Sequence, residues 1–383
     1  MHMRRILLYI LFFLPALLCQ AQSIRMLVNK LPANHPPGSA IYLAGSFNKW
    51  NPQDEQFRFH LNEAGQYSLL LTIPPGKHEY KITRGGWDKV EVKKNGAGIN
   101  NRQLITGNDT LLLLDIEGWQ DQFSSIEKKT TASKQVSILD TAFYMTSLNR
   151  KRTIRIYLPP GYDDSKKKYP VLYMQDGQNL FDDQTSFAGE WGVDEMLDTA
   201  IFRQCIVVGI DHGGPQRLKE YSPFDFSLQK DSGTQTKGEG KLYAAFLAKQ
   251  LKPYIDQRFR TLASAKNTFV AGSSMGGLIA LYTILDYPKV FGGAAVLSPS
   301  VWICKKELLE RIRQKNRNRK TRIFFYAGKK ESESMVPDML AVFEQCRKVS
   351  KAGISILIRD EGTHSEASWR RELPFIFDWL LGP

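Results

Sequence analysis

The pattern of apolar and polar positions changes once along the chain. From about 24 to 118 the apolar runs are short, alternating or rich in β-branched residues: Ala40 to Leu43, Gln66 to Ile73, His78 to Thr83 and Thr110 to Leu114. Turn residues separate them, as in Pro74-Pro75-Gly76 and Gly85-Gly86. Short strands at such spacing predict an all-β sandwich, assigned to 22–118. A polar stretch without apolar period, including Glu127-Lys128-Lys129-Thr130-Thr131, predicts a linker within 119–135. Over 136–383, strand-like runs alternate with helical patterns. The strands are Thr153 to Leu158, Pro170 to Met174, Ile206 to Ile210, Thr268 to Ala271, Ala294 to Leu297, Ile323 to Tyr326 and Ile354 to Ile358. The helices include Lys241 to Phe259, Gly277 to Leu285, Lys306 to Arg313 and Met335 to Lys348. That alternation predicts an α/β domain with a mostly parallel sheet covered on both faces.

The amino terminus follows another pattern. Arg4 and Arg5 precede an apolar run from Ile6 to Leu18, and Cys19-Gln20-Ala21 follows. Charged, apolar and small segments in that order read as a secretory signal peptide over 1–21, cleaved after Ala21. The run falls short of the roughly 18 apolar residues a membrane span needs. A lipid anchor at Cys19 and an uncleaved amino-terminal anchor are the alternatives. No later stretch reaches the length of a span, so the expectation is an exported protein, periplasmic or secreted, without a permanent membrane span.

Composition narrows the class. Of 383 residues, 42% are hydrophobic and 24% charged, which excludes disordered and fibrous chains. Four cysteines exclude a disulfide scaffold, and three remain once Cys19 leaves. Cys205, ahead of Ile206-Val207-Val208, reads as a core residue. No Cys-x-x-Cys and no His-x-x-x-His occurs, so neither a metal nor another cofactor is expected. The net charge of +13 falls to +11 when Arg4 and Arg5 leave with the leader. Part of the excess is local, as in Lys166-Lys167-Lys168 and Arg311 to Arg322, and no nucleic-acid-binding fold surrounds it, so it reads as solvated basic surface.

The sharpest chemical signal is Gly272-Ser273-Ser274-Met275-Gly276, followed by Gly277. It fits G-x-S-x-G between a predicted strand and a predicted helix, the context in which the central serine is a nucleophile. The backbone N–H of Met275 then opens the helix toward a developing oxyanion. A serine nucleophile needs a base. His364, after the last strand-like run, gives the chain order serine, acid, histidine. The acid is expected after the strand Ile323 to Tyr326: Glu331 first, Glu333 next, Asp338 more remote. The turn Asp176-Gly177-Gln178 ends an earlier strand, and the Gln178 N–H is the expected second oxyanion donor. Asp176 read alone could be an acid or metal residue, but no second carboxylate is spaced with it. His212, at another strand end, either lines the same mouth or is a surface-loop histidine. Asp176, Gly177, Trp191, His212 and Arg217 are the substrate-contact candidates around that mouth.

Five stretches carry a resemblance over nearly all of 136–383. They are Tyr157-Leu158-Pro159-Pro160-Gly161-Tyr162, Leu172 to Phe181, Glu220-Tyr221-Ser222-Pro223, Gly272 to Gly277 and Gly362-Thr363-His364. The segment resembles the esterase family of α/β-hydrolases that includes enterochelin-type and feruloyl esterases. The resemblance implies the α/β-hydrolase fold, with nucleophile and base at Ser274 and His364. The family's acid, often aspartate, falls on Glu331, and many members have His-Gly where this chain has Asp176-Gly177.

Ala44 to Pro52, then Gly76 to Ile82, then Gly86-Trp87, look like the glycogen- and starch-binding module of isoamylase amino-terminal type, an immunoglobulin-like sandwich. In that family two tryptophans and a lysine hold sugar rings, which here implies Trp50, Lys81 and Trp87. Flat aromatic faces suit the apolar faces of sugars. The other reading of both tryptophans is as core aromatics.

The sequence therefore leads to an exported serine carboxylic-ester hydrolase acting on acyl or feruloyl groups of plant polysaccharide or oligosaccharide. A catecholate-siderophore esterase is the second substrate reading, and a non-catalytic glycan-binding protein is the alternative from another class.

Overall fold

The computed structural model describes residues 22–48, 50–99, 101–106, 111–123, 129–187, 189–199, 203–227, 235–314, 321–349 and 353–382. The expected signal peptide, 1–21, and the centre of the predicted linker, 124–128, lie outside the described residues. The chain divides into two compact units, Met1–Glu127 and Lys128–Pro383.

The first unit is all-β. Seven strands run in the order Arg102–Ile105, Lys77–Thr83, Ile41–Gly45, Arg58–Leu61, Tyr67–Ile73, Gln22–Lys30, Leu111–Asp115. Alternation sets the inner face: Ile24, Met26 and Val28 are buried at every second position, and Leu69, Leu71 and Ile73 repeat the period. The short strand Arg58–Leu61 makes the corner. Phe59 pairs with Ile41 on one side, and His60 with Ser68 on the other. Phe59 itself lies in the core between the two halves, with Leu43, Ile82 and Trp119.

The second unit carries an eight-stranded sheet. Its strands are β1 (Val136–Met145), β2 (Arg150–Tyr157), β3 (Val171–Gln175), β4 (Ile206–Ile210), β5 (Thr268–Ser273), β6 (Gly293–Leu297), β7 (Arg322–Gly328) and β8 (Ile354–Arg359). Their order is β1-β2-β4-β3-β5-β6-β7-β8, parallel from β4 onward. Strands β3 to β6 are buried along their whole length, as expected where both faces are covered. One apolar cluster packs around helix α1 (Met275–Asp286), which is buried almost throughout. A second lies across the sheet under helix α3 (Glu366–Leu381). Helix α2 (Met335–Val349) joins β7 to β8.

The polar segment before β1 is not a free tether at its carboxyl end. Thr130 and Thr131 bond Asp182, Thr131 also bonds Glu190, and the Ser133 N–H donates to Asp194 at 2.7 Å. The polar composition there serves hydrogen bonds to buried carboxylates of the second unit. Cys205, Cys304 and Cys346 are buried, and no disulfide joins them among the described residues. Among the described residues no helix is long and apolar enough to cross a membrane.

Candidate active site

Strand β5 ends at Ser273, and Ser274 turns the chain into α1 with φ 58° and ψ −123°. This backbone region is strained for a residue with a side chain. Hydrogen bonds hold it: the Ser274 N–H donates to Leu297 O at 2.9 Å, and the Ser300 N–H donates to Ser274 O at 3.1 Å. Gly272 is required by close approach, because a Cβ there would lie 2.6 Å from the carbonyl of Gly276. The strained turn projects the Ser274 hydroxyl at the carboxyl edge of the sheet, where it pairs with the Ser300 hydroxyl at 3.1 Å. Met275 begins the helix, so its N–H has no intrahelical acceptor.

The adjacent strand β3 ends in the turn Asp176-Gly177-Gln178. Asp176 is left-handed, with φ 58°. This turn lies against the elbow: a Cβ on Gly276 would be 3.1 Å from both Asp176 Oδ2 and Gln175 Cβ. Arg217 forks onto the Asp176 carboxylate with two bonds of 2.7 and 2.8 Å. Burial pulls the guanidinium's pKa down, but the charge of Asp176 outweighs it, so Arg217 stays protonated. Gln178 Oε1 accepts from the His212 N–H at 3.2 Å, and His212 Nδ1 accepts from Gly214 N–H at 2.9 Å. Burial lowers the His212 pKa, with Asp176 opposing, and Nδ1 is an acceptor, so this imidazole is neutral.

Strands β7 and β8 bring the two remaining candidates together. His364 Nδ1 lies 2.7 Å from Glu331 Oε2. The Glu331 side chain is 1% exposed, that of His364 38%. Glu331 Oε1 accepts from the Ser298 hydroxyl at 2.7 Å and from the Gly328 N–H at 2.6 Å. The two loops touch at Gly362, where a Cβ would lie 2.7 Å from Gly328 Cα. The Lys330 N–H donates to Gly362 O at 2.9 Å. The His364 ring stands edge-on to Trp369, with centroids 5.1 Å apart. Nε2 of His364 carries no hydrogen bond among the described residues. Glu366, the first residue of α3, has its carboxyl pKa raised by burial, with His364 and Asp176 in its field.

The other acid candidates lie elsewhere. Glu333 is exposed, and Asp338 is bonded to Lys305 at 2.7 Å. Trp191 does not line the mouth as expected: it is 3% exposed and packs on Trp369 at 5.6 Å, beneath the site. Its apolar ring fills the second core cluster. Ser298, Ser300 and Trp369 are site residues that the sequence reading missed. For the two serines the available signal was the polar Ser298-Pro299-Ser300 turn directly after a predicted strand end; Trp369 carried none.

In the first unit, Trp50 and Trp87 lie with ring centroids 6.3 Å apart. Trp87 is 44% exposed, and Trp50 is partly exposed, so neither is a core residue. The Lys81 ammonium donates to Ile99 O at 2.6 Å, and burial lowers its pKa. Among the described residues no group of histidine, cysteine and carboxylate side chains could hold a metal ion.

Comparison with known proteins extends these findings. An uncharacterized protein, YbbA, of Bacillus subtilis is 31% identical over 155 residues, covering 39% of this chain and 58% of that protein. The endo-1,4-beta-xylanase/feruloyl esterase of Xylanibacter ruminicola is 26% identical over 241 residues, covering 61% of this chain and 30% of that protein. An alpha-amylase of Niallia circulans is 38% identical over 105 residues, covering 27% of this chain and 8% of that protein, and supports the amino-terminal sandwich. The chain thus spans little more than half, or much less, of the length of these relatives. The solved enterochelin esterase of Shigella flexneri superposes with a TM-score of 0.54 at 15% identity, covering 94% of this chain and 92% of that one, a likeness of fold. The family model described as "Putative esterase" matches residues 145–380, more than half of the chain. The chain belongs to this esterase family of α/β-hydrolases.

Proposed function

We propose that the protein is an exported serine carboxylic-ester hydrolase that removes acyl or feruloyl groups from plant polysaccharide or oligosaccharide. The observations that carry this reading are the 2.7 Å bond from His364 Nδ1 to the buried Glu331 side chain and a serine, Ser274, held in a strained strand-to-helix turn. Glu331 accepts a hydrogen bond from the His364 Nδ1–H, which keeps that proton on Nδ1 and leaves the imidazole lone pair on Nε2. In the substrate complex this lone pair accepts the Ser274 proton as Oγ attacks the ester carbonyl. The oxyanion collects on the N–H groups of Met275 and Gln178, each such donor being worth roughly 100- to 1,000-fold in rate. His364 returns the proton to the leaving alcohol, and an acyl-Ser274 ester remains. Water, deprotonated by His364, attacks that ester; collapse releases the acid and reprotonates Ser274.

Three observations support a carbohydrate-linked ester. The exposed Trp87 and partly exposed Trp50 offer aromatic faces for a sugar. One relative is named a xylanase and feruloyl esterase, and another an amylase. Arg217 spends its charge on Asp176, which weakens the case for an anionic catecholate siderophore. Export rests on the Arg4-Arg5 and Ile6 to Leu18 pattern. A panel of methyl ferulate, acetylated xylan and a linear catecholate siderophore ester tests the substrate class. Turnover of the siderophore ester alone would overturn the polysaccharide reading.

A further inference from the structure

At the end of β6, two serines reach the two halves of the site, Ser298 the acid and Ser300 the nucleophile candidate. Ser298 is fully buried and left-handed, with φ 43°. Its N–H donates to Tyr326 O at 2.7 Å, which fixes the strained backbone. Its hydroxyl accepts from the Trp369 indole N–H at 2.9 Å and donates to Glu331 Oε1 at 2.7 Å. The indole can only donate, so the hydroxyl proton has one direction left, toward Glu331. Glu331 Oε1 is then saturated by Ser298 and Gly328, and Oε2 is the oxygen presented to His364. Two residues on, Ser300 is 4% exposed. Its N–H bonds the Ser274 carbonyl and its hydroxyl the Ser274 hydroxyl, both at 3.1 Å.

We infer that Ser298-Pro299-Ser300 is a positioning brace that sets the acid through Ser298 and the nucleophile through Ser300. The inference rests on the triad reading and adds residues to it. Proline fixes its own φ, so the two serines are held at a set spacing across one rigid step. A buried carboxylate that accepts three hydrogen bonds, as Glu331 does, cannot rotate without losing at least one. The strained φ of Ser298 is therefore retained where it orients Glu331. Neither serine touches the reacting carbonyl in this account, so both act through Glu331 and Ser274.

The test uses the full chain with p-nitrophenyl acetate, comparing wild type, Ser298→Ala, Ser300→Ala and Ser300→Thr. Supporting roles around a catalytic group typically carry about 10- to 100-fold. The brace predicts that loss in kcat for each alanine variant, with KM changed less than about threefold. It also predicts recovery in Ser300→Thr, which keeps the hydroxyl, and a shifted downfield Nδ1–H proton resonance of His364 in Ser298→Ala. Wild-type kcat in either alanine variant, or a change confined to KM, overturns the brace. If Ser298→Ala does not fold, the two Ser300 variants decide by the same criteria. Ser274→Ala separates the levels: its inactivity beside fully active Ser298→Ala and Ser300→Ala defeats the brace and keeps the triad. Activity that survives Ser274→Ala defeats the triad reading itself.

Discussion

Glu331 and His364, 33 residues apart in sequence, meet through a 2.7 Å hydrogen bond at the carboxyl edge of the sheet. Glu331→Gln keeps the shape but offers an amide that can present N–H to Nδ1, favouring the wrong imidazole tautomer. The expected result is a fall in kcat of about 1,000- to 10,000-fold, with Ser274 still in place. Glu333→Gln, at an exposed position on the same loop, should change kcat less than about threefold. Steady-state kinetics on p-nitrophenyl acetate measures both.

The contact between the acid and histidine loops depends on Gly362. An added Cβ would lie 2.7 Å from both Gly328 Cα and the Tyr326 hydroxyl. Gly362→Ala should lower stability by roughly 1–3 kcal/mol through overpacking. It should also lower kcat, because Lys330 bonds Gly362 O next to Glu331. Urea unfolding followed by tryptophan fluorescence reads the first effect, and turnover reads the second.

Much of this was legible in the sequence, and the losses have physical causes. The strands β3 to β7 stood out because buried parallel strands are nearly unbroken apolar runs, and the edge strand β8 stood out through its isoleucines and leucine. Strand β1 did not, because register shifts at Ile138/Asp140 and Asp140/Phe143 destroy its alternation. Helix α3 was missed because Pro374 interrupts its pattern. Ser274, Glu331 and His364 were nominated from motif and chain order, and the structure brings Glu331 and His364 into hydrogen-bond contact. Ser298 and Trp369 were not, because their roles come from a hydrogen bond spanning 71 residues.

Acid should stabilise the second unit through one cluster. Burial raises the carboxyl pKa values of Glu190, Asp194 and Glu195, and their mutual repulsion adds to it. A carboxyl group raised in the folded state binds protons more tightly there than in the unfolded chain. Stability from this cluster is therefore fullest below the unfolded carboxylate range, near pH 4, and falls as pH rises through the folded values. Glu190→Gln should flatten that fall in a series of melting temperatures against pH. An unchanged slope would contradict it.

The amino-terminal unit should bind glycan through its exposed aromatic pair. Wild type should be retained on insoluble xylan or starch, and Trp87→Ala should lose most of that retention without losing turnover of p-nitrophenyl acetate. Stacking on one aromatic face is worth roughly 1 kcal/mol, about fivefold in affinity. Failure of wild type to be retained on either polymer would remove the glycan argument.

The central claim is that Ser274 is the nucleophile of an ester hydrolase. Hydrolysis of methyl ferulate by wild type and Ser274→Ala, at matched folded concentration, tests it most directly. The account predicts turnover by wild type and a loss of about a million-fold in kcat in the variant, down to the residual rate of binding and oxyanion contacts. Equal rates in the two proteins would contradict it.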